Sequence, residues 1–210
     1  MRSVVWFTVL FLATNTMMLP QAPAGKAVTP VTPAAELEKL KAEQERIQKA
    51  KDLVREWFKR WNALDESEES INKFAELYRP DALHLTGPQD DLIGTAFYQG
   101  QDMIRKLAQH AGKTYCRQAF YIKTRTSLNQ VGEDGGAKTV DLITAASTSL
   151  GMISVVVELG ASYDYRETKK RFMAPGAAFF EIQDGKIARL RMYYSKGEHF
   201  EVTNQAGCTS

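Results

Sequence analysis

The chain has 210 residues, which is long enough for one domain with a hydrophobic core of its own. Its 27 Lys and Arg residues nearly balance its 25 Asp and Glu residues, and 44% of its residues are hydrophobic. A formal net charge of +2 lacks the basic excess of a nucleic-acid-binding protein, so we expect no nucleic-acid partner.

The first 24 residues differ in composition from the rest of the chain. Arg2 is followed by an apolar run that ends near Pro20, and the sequence Ala-Pro-Ala at 22–24 is typical of a signal-peptide cleavage site. We therefore predict a signal peptide over residues 1–24, a secreted or periplasmic location, and no stable membrane span after cleavage. The alternative is an uncleaved N-terminal membrane anchor, although the apolar run is shorter than the roughly 20 residues of a span.

The next segments are predicted from composition and hydrophobic period. Residues 25–34 contain two prolines and no period, which predicts an extended spacer. Apolar residues then recur at intervals of three and four up to Leu64, which predicts a long helix from about residue 35. Its polar first part, 35–52, is interpreted as a helical extension, so the domain proper spans 53–200 and is followed by a tail over 201–210.

Two shorter helices and a strand follow. Residues 65–67 (DES) predict a helix cap, and Pro80 is expected to end the second helix. Residues 82–85 (ALHL) predict a short strand. A third helix is predicted beyond Gly100, with Gly112 as its left-handed C-terminal residue.

The remaining sequence is rich in β-branched and aromatic residues and predicts an antiparallel sheet. Asp184-Gly185 predicts a tight hairpin turn, and residues 148–152 predict either a hairpin or a bulge. The predicted strands are 117–130, 137–148, 152–164, 171–182 and 186–196. Helices followed by strands predict an α+β fold, in which helices cover one face of a curved sheet and leave a concavity where a small ligand binds.

Four segments resemble the SnoaL-like branch of the nuclear transport factor 2-like superfamily, over residues 50–200. They are the first helix at 54–61 (VREWFKRW), the second helix and first strand at 74–83 (FAELYRPDAL), the third-helix start at 100–104 (GQDMI) and the closing hairpin at 179–194 (FFEIQDGKIARLRMYY).

The resemblance implies a cone-shaped barrel, with three N-terminal helices packed on a strongly curved antiparallel sheet and a pocket at the wide end. It also implies homodimers through the outer sheet face. Members of this superfamily include isomerases, dehydratases, cyclases, epoxide hydrolases and non-catalytic binding domains, so the fold alone does not define an activity. Many members have an aspartate after the aromatic residues of the last strand, where this chain has Ser195 and Lys196.

A proton-transfer site in such a pocket needs a carboxylate or histidine in an apolar cavity, with a phenol or acid as donor. His84 lies between Leu83 and Leu85, so it faces the pocket only if both leucines face outward. Asp141, in an otherwise uncharged strand, and Asp164, between two tyrosines, are the candidate bases.

An aromatic set is expected where the first helix, the loops and the inner sheet face converge. Buried tyrosines usually need a partner for the hydroxyl group, so those that line a cavity would also contact a ligand. The candidate ligand-binding residues are Trp57, Trp61, Tyr78, Tyr98, Phe180, Met192 and Tyr194.

Cys116 and Cys208 form a disulfide in one interpretation, because an exported protein meets an oxidising compartment. In the other they are two unpaired thiols. The sequence contains no phosphate-binding glycine loop, nucleophile motif or His-rich metal spacing, so we expect neither a metal nor a cofactor.

Three functional hypotheses follow. The first is an exported domain that binds a small, largely apolar molecule in its cone pocket. The second is a cofactor-independent isomerase, dehydratase or cyclase that uses a pocket carboxylate and a tyrosine. The third is a dimeric protein-interaction module, in which Leu37, Leu40 and Ile47 of the long first helix contact a partner.

Overall fold

The computed structural model of the chain describes residues 32–86, 97–131, 137–194 and 198–201. The predicted signal peptide and Cys208 lie outside the described residues. Within these ranges the chain forms three helices and ten strands. The helices are α1 (Pro33–Asn62), α2 (Glu68–Ala75) and α3 (Gly100–Thr114), and the strands are β1 (Tyr78–Leu85), β2 (Phe97–Gln99), β3 (Tyr115–Ile122), β4 (Thr124–Val131), β5 (Ala137–Asp141), β6 (Ile143–Ser147), β7 (Ile153–Tyr165), β8 (Lys170–Gln183), β9 (Lys186–Tyr194) and β10 (Glu198–Glu201).

The main sheet has the strand order β2-β1-β9-β8-β7-β3, with β10 beside β8 and β6 beside β7. All its pairings are antiparallel except one, because β1 lies parallel to β9. The sheet is therefore mixed rather than purely antiparallel. The predicted α+β class, with helices on a curved sheet, is confirmed.

The helix α1 has two halves with different surroundings. Its second half buries Ala50, Val54, Trp57, Phe58 and Trp61 against the sheet, as the hydrophobic spacing predicted. Its first half is exposed, including Leu37 and Leu40, and begins at Pro33, where proline is well tolerated.

The helix α2 is shorter than predicted, because it ends at Ala75 rather than just before Pro80. Its Ser67 cap is confirmed, since the Ser67 side chain accepts a hydrogen bond from the amide of Ser70. Pro80 lies inside β1, within a register shift between Tyr78 and Leu83. A proline is tolerated there because the regular ladder is interrupted.

The helix α3 continues past Gly112 to Thr114, so Gly112 is not the helix end that its sequence suggested. A Cβ atom at Gly112 would lie 2.4 Å from the carbonyl oxygen of Asp65. Glycine is needed here for close packing of α3 against the loop before α2.

Two of the predicted strands are each divided in the structure. The segment 117–130 forms β3 and β4, and 137–148 forms β5 and β6. The chain leaves the main sheet at Lys123 and returns at Leu142, and between these residues β4 and β5 pair with each other. The Lys123 and Leu142 backbones close the junction through hydrogen bonds to each other and to Glu158.

The predicted hairpin at Asp184-Gly185 is present, and of the two alternatives for residues 148–152 the structure has the hairpin. Asp184 and Gly185 have φ angles of 52° and 71°, as a tight turn between β8 and β9 requires. The Thr148–Met152 segment is a hairpin between β6 and β7 rather than a bulge, since the amide of Thr148 donates to the carbonyl oxygen of Met152.

The inner face of the main sheet and the three helices enclose the core. In β7 and β8 the side chains alternate, and Val155, Val157, Ala178 and Phe180 face inward. No helix among the described residues combines the length and the apolar character needed to cross a bilayer.

Candidate functional site

The strand β1 directs His84 into the core. Its neighbours Leu83 and Leu85 are half-exposed, whereas Ala82 and His84 are completely buried. The condition set by the sequence is therefore met: both leucines face outward and the imidazole faces the interior.

A chain of hydrogen bonds ties His84 to the first helix. The indole Nε1 of Trp57 donates to the hydroxyl oxygen of Tyr78 over 2.6 Å. The same hydroxyl lies 3.1 Å from Nδ1 of His84. Two elements of the fold therefore meet at this point: Trp57 comes from α1, whereas Tyr78 and His84 come from the two ends of β1.

Aromatic rings surround His84 on several sides. The ring centroids of Trp57, Tyr78 and Tyr98 lie 6.4, 6.0 and 5.9 Å from that of His84. Burial among these rings lowers the pKa of His84 to about 3, because a charged imidazolium would be desolvated. Burial also raises the pKa of Tyr78. Both side chains are consequently neutral near pH 7.

The second ring nitrogen of His84 has no hydrogen-bond partner among the described residues, although it is fully buried. Other buried polar atoms without a partner among the described residues include Nε1 of Trp61, Oγ1 of Thr86 and Oε1 of Gln118. The Trp61 ring stacks on that of Trp57, with ring centroids 5.4 Å apart, and packs edge-on against Phe120. Phe120 and Gln118 both lie on the inner face of β3.

The seven predicted ligand-binding residues converge in the core, as expected. Trp57, Trp61, Tyr78, Tyr98, Phe180 and Met192 are buried, and Tyr194 is half-buried beside them. The ring centroids of Trp57 and Phe180 lie 5.7 Å apart, so these two side chains pack the helix α1 against the inner face of the sheet. Their role as ligand contacts stays a prediction.

The candidate base Asp141 lies at the end of β5 and faces α1. One of its oxygens, Oδ2, accepts hydrogen bonds from Nε and Nη2 of Arg55 over 3.0 and 2.9 Å. The carboxylate is about one-third exposed and connects the β4–β5 ribbon to the helix. It has no hydrogen bond to His84, and its catalytic role stays a prediction.

The candidate base Asp164 is almost completely buried but lies on the outer side of β7. Its two oxygens accept hydrogen bonds from Nε and Nη2 of Arg171 over 2.6 and 2.8 Å, in a bidentate pair across β7 and β8. Because both oxygens are occupied by a guanidinium, the arrangement favours a structural ion pair. The structure therefore brings neither aspartate together with His84.

Cys116 lies half-buried in β3, with its sulfur 3.5 Å from the carbonyl oxygen of Asp164. Its predicted disulfide partner, Cys208, lies outside the described residues, so the pairing stays a prediction. Over the part of the chain that is described, no three His, Cys, Asp or Glu side chains are grouped as a metal site would require.

A separate groove of about 730 Å³ lies beside α1, next to the β6–β7 and β8–β9 turns. Leu53, Leu77 and Ile153 contribute apolar surface to it, while Arg46 and Glu56 contribute charge. None of the predicted site residues lines this groove.

Sequence reasoning missed the Trp57–Tyr78–His84 chain and the buried Gln118. It placed Tyr78 at the end of a helix, whereas the residue begins β1, six positions before His84. An inward-facing glutamine in β3 follows from the alternation with Phe120, a signal that was present in the sequence.

Comparison with known proteins gives matches among solved structures only. No protein-family model matches the chain, and no curated protein matches it in sequence. A proposed aromatic ring hydroxylase from Novosphingobium aromaticivorans is similar to the chain with a TM-score of 0.54 and 13% identity, over 74% of this chain and 94% of that one.

Two further structures are similar to the same degree. A proposed scytalone dehydratase, also from N. aromaticivorans, has a TM-score of 0.53 and 12% identity, over 78% of this chain and 92% of its own. A type 2 hexachlorocyclohexane dehydrochlorinase (LinA) has a TM-score of 0.53 and 12% identity, over 81% of this chain and 97% of its own.

Fold and site together define an α+β protein whose helices close a curved sheet over a buried aromatic interior. The chain shares its fold with these structures, which is the α+β arrangement of helices on a curved sheet that the resemblance of its sequence motifs implied. The fold is shared by enzymes and binding domains, so the activity must be argued from the interior.

Proposed function

We propose that the domain binds a small, largely apolar molecule in the interior between the helices and the sheet, next to His84. The observation that carries this proposal is the buried Nε2 of His84, which has no partner among the described residues. A buried polar group left unpaired costs about 1–3 kcal/mol, so native structures rarely keep one without a reason.

The surroundings of His84 suit such a ligand. Indole, phenol and phenyl rings supply apolar contact area, and the unpaired Nε1 of Trp61, whose ring stacks on that of Trp57, supplies a further polar group. An apolar lining with few polar groups is the usual composition of a small-molecule site.

The test is native mass spectrometry of the purified protein, alone and mixed with 1-indanone, a small ring ketone. We expect a non-covalent adduct in the wild type and in His110→Phe, a control on α3, and its loss in His84→Phe. If none of the three proteins carries an adduct under either condition, the proposal is wrong.

A second candidate function is a cofactor-independent isomerase, dehydratase or cyclase. The specific observation in its favour is a neutral histidine buried against two tyrosines, Tyr78 and Tyr98. Among the similar structures, one is a proposed dehydratase and another a dehydrochlorinase. Since Asp141 and Asp164 are bound by arginines, His84 and a tyrosine would carry the proton transfers in such an enzyme.

We also propose that two copies associate through the outer face of the sheet. Val156, Phe179 and Tyr193 are exposed there on the neighbouring strands β7, β8 and β9, and Phe179 packs edge-on against Tyr193 at 5.7 Å. Exposed aromatic side chains on a sheet face favour an isologous contact with a second copy. The exposed face of α1 that carries Leu37 and Leu40 is the alternative surface for a partner protein.

Light scattering after size-exclusion chromatography tests the association. We expect a dimer for the wild type, a monomer for Phe179→Lys, and a dimer for Leu150→Lys, whose side chain is exposed in the β6–β7 turn. A monomeric wild type would contradict this part of the proposal.

The proposed location is outside the cytoplasm, after removal of residues 1–24. N-terminal sequencing of the protein recovered from the culture medium or the periplasm checks it. We expect Gly25 as the first residue, and recovery of an intact N-terminus in the membrane fraction would favour the anchor instead.

A further inference from the structure

We infer that the hydrogen bonds from Trp57 and Tyr78 fix His84 as the tautomer with its proton on Nε2, so that the interior selects ligands carrying a hydrogen-bond acceptor such as a ketone oxygen. This inference rests on the proposed function, because it concerns the ligand that the interior would bind.

The direction of the hydrogen bonds follows from counting protons. The indole N–H of Trp57 is only a donor, so the hydroxyl oxygen of Tyr78 must accept from it. The hydroxyl proton of Tyr78 then needs an acceptor, and Nδ1 of His84 lies 3.1 Å away. Nδ1 is therefore unprotonated, and the proton of the neutral ring is on Nε2.

The opposite assignment is less favourable. If Nδ1 carried the proton, it would donate to an oxygen that already accepts from Trp57, and the Tyr78 proton would have no described acceptor. Both that proton and the lone pair on Nε2 would then be buried without partners. The Nε2–H form leaves only one group unpaired, which is the smaller penalty.

The chain of bonds also fixes the orientation of the imidazole. Trp57, Tyr78 and His84 are all buried, and the Tyr78 and His84 rings lie nearly parallel, at 15°. Trp57 and Tyr78 are thus positioning residues, which act on a ligand only through His84. The result is a neutral, preorganised donor in a water-poor interior.

This arrangement has a clear chemical preference. A ketone, ether or other acceptor oxygen would satisfy the Nε2–H group, whereas a hydrocarbon would leave it unpaired and an ammonium group would oppose it with a second donor. It also excludes Nε2 of His84 as a proton acceptor in the resting protein, since that nitrogen already carries a proton, and it therefore counts against the second candidate function, in which His84 acts as a base.

The first part of the test determines the tautomer by long-range ¹H–¹⁵N NMR of the full chain with labelled histidine. The chain has three histidines, and His84→Gln assigns the signals of His84 by their loss. We expect a protonated Nε2 and an unprotonated Nδ1. Tyr78→Phe should release this preference and give a mixture of tautomers, while His110→Gln, as the control, should leave the His84 signals in place.

The second part compares two ligands of nearly equal shape, 1-indanone and indane, by titration of the tryptophan fluorescence. We expect the wild type to bind the ketone about tenfold more tightly than the hydrocarbon, as one hydrogen bond to an otherwise unpaired buried donor predicts. His84→Phe should bind both with similar affinity.

The possible failures are distinguishable. A protonated Nδ1, or equal affinity of the wild type for both ligands, overturns the inference and leaves binding in the interior standing. Failure of both ligands to bind overturns the proposed function and the inference with it.

Discussion

Tyr78 is a single residue on which two buried hydrogen bonds depend. Its hydroxyl accepts from Trp57 and donates to His84, so a phenylalanine at this position would leave both partners unpaired in the core. The phenyl ring itself would still fit, because no atom is added.

We therefore predict that Tyr78→Phe lowers the free energy of unfolding by about 2 kcal/mol, the usual penalty for buried polar groups that lose their partner. Urea unfolding followed by circular dichroism measures the change. The matched control is Tyr193→Phe, whose side chain is 54% exposed and whose loss of a hydroxyl should change stability very little. Equal effects of the two substitutions would contradict the hydrogen-bond chain.

His84 makes the stability depend on pH in a defined direction. Burial lowers its pKa to about 3 in the folded state, whereas a histidine in an unfolded chain has a pKa of about 6.5. Below pH ~6.5 the unfolded state binds a proton that the folded state does not. The free energy of unfolding therefore decreases as the pH is lowered, by up to about 1.4 kcal/mol per pH unit.

We predict that this fall between about pH 6.5 and 5 is largely absent in His84→Gln and retained in His110→Gln, when unfolding curves are measured at each pH. His110 is only partly buried, and burial lowers its pKa as well. An identical pH profile for His84→Gln and the wild type would show that His84 is not neutral and buried.

At the scale of the elements, the strands β7 and β8 are joined by the Asp164–Arg171 pair. The carboxylate is 2% exposed and accepts two hydrogen bonds, while the arginine is 27% exposed. Loss of the negative charge would leave the guanidinium without its bidentate partner in a poorly solvated position.

We predict that Asp164→Asn lowers the free energy of unfolding by about 2 kcal/mol, less than for a fully buried pair because Arg171 can reach water. The control is Glu38→Gln, which removes an exposed pair with Lys41 and should cost less than about 0.5 kcal/mol. Loss of activity or binding without loss of stability in Asp164→Asn would favour the catalytic role that its position between two tyrosines suggested.

The helix α3 packs unusually close to the loop before α2 at Gly112. In a helix interior alanine is normally better than glycine by about 1 kcal/mol. Here the added Cβ atom would lie 2.4 Å from a backbone oxygen of Asp65 and 2.8 Å from its carbonyl carbon, and neither atom can move away without shifting the loop.

Gly112→Ala is therefore predicted to destabilise the protein by about 2 kcal/mol, against the helix propensity. Thermal unfolding compares it with Gln109→Ala, an exposed substitution on the same helix that should be nearly neutral. A stabilised Gly112→Ala variant would mean that the two segments are not in contact.

Much of this element-scale structure could be predicted from local patterns. The hydrophobic spacing of α1 and the Asp184-Gly185 turn depend on neighbouring residues, and both are present. The division of 117–130 into β3 and β4 could not be predicted, because β-propensity runs through Lys123 and the break depends on pairing with distant Glu158.

The candidate site shows the same limit. Whether His84 faces inward depended on which side Leu83 and Leu85 occupy, and that is decided by packing of β1 beside β9, about a hundred residues later. The arginine partner of Asp164 likewise follows from the register of β7 and β8 rather than from any local motif.

On the scale of the whole molecule, the fold provides a closed aromatic interior and a separate open groove beside α1. The interior holds the unpaired Nε2 of His84, whereas the groove is lined by a mixture of apolar and charged side chains, including Arg46 and Glu56. These two places make opposite demands on a ligand, and the proposed function depends on the interior being the one that is used.

A crystal structure of the protein soaked with 5-bromo-1-indanone distinguishes them most directly, because the anomalous signal of bromine locates the ligand independently of its fit. We predict a bromine peak within the aromatic interior and a ketone oxygen about 2.9 Å from Nε2 of His84. Bromine found only in the groove beside α1, or a ketone turned away from His84, would contradict the account.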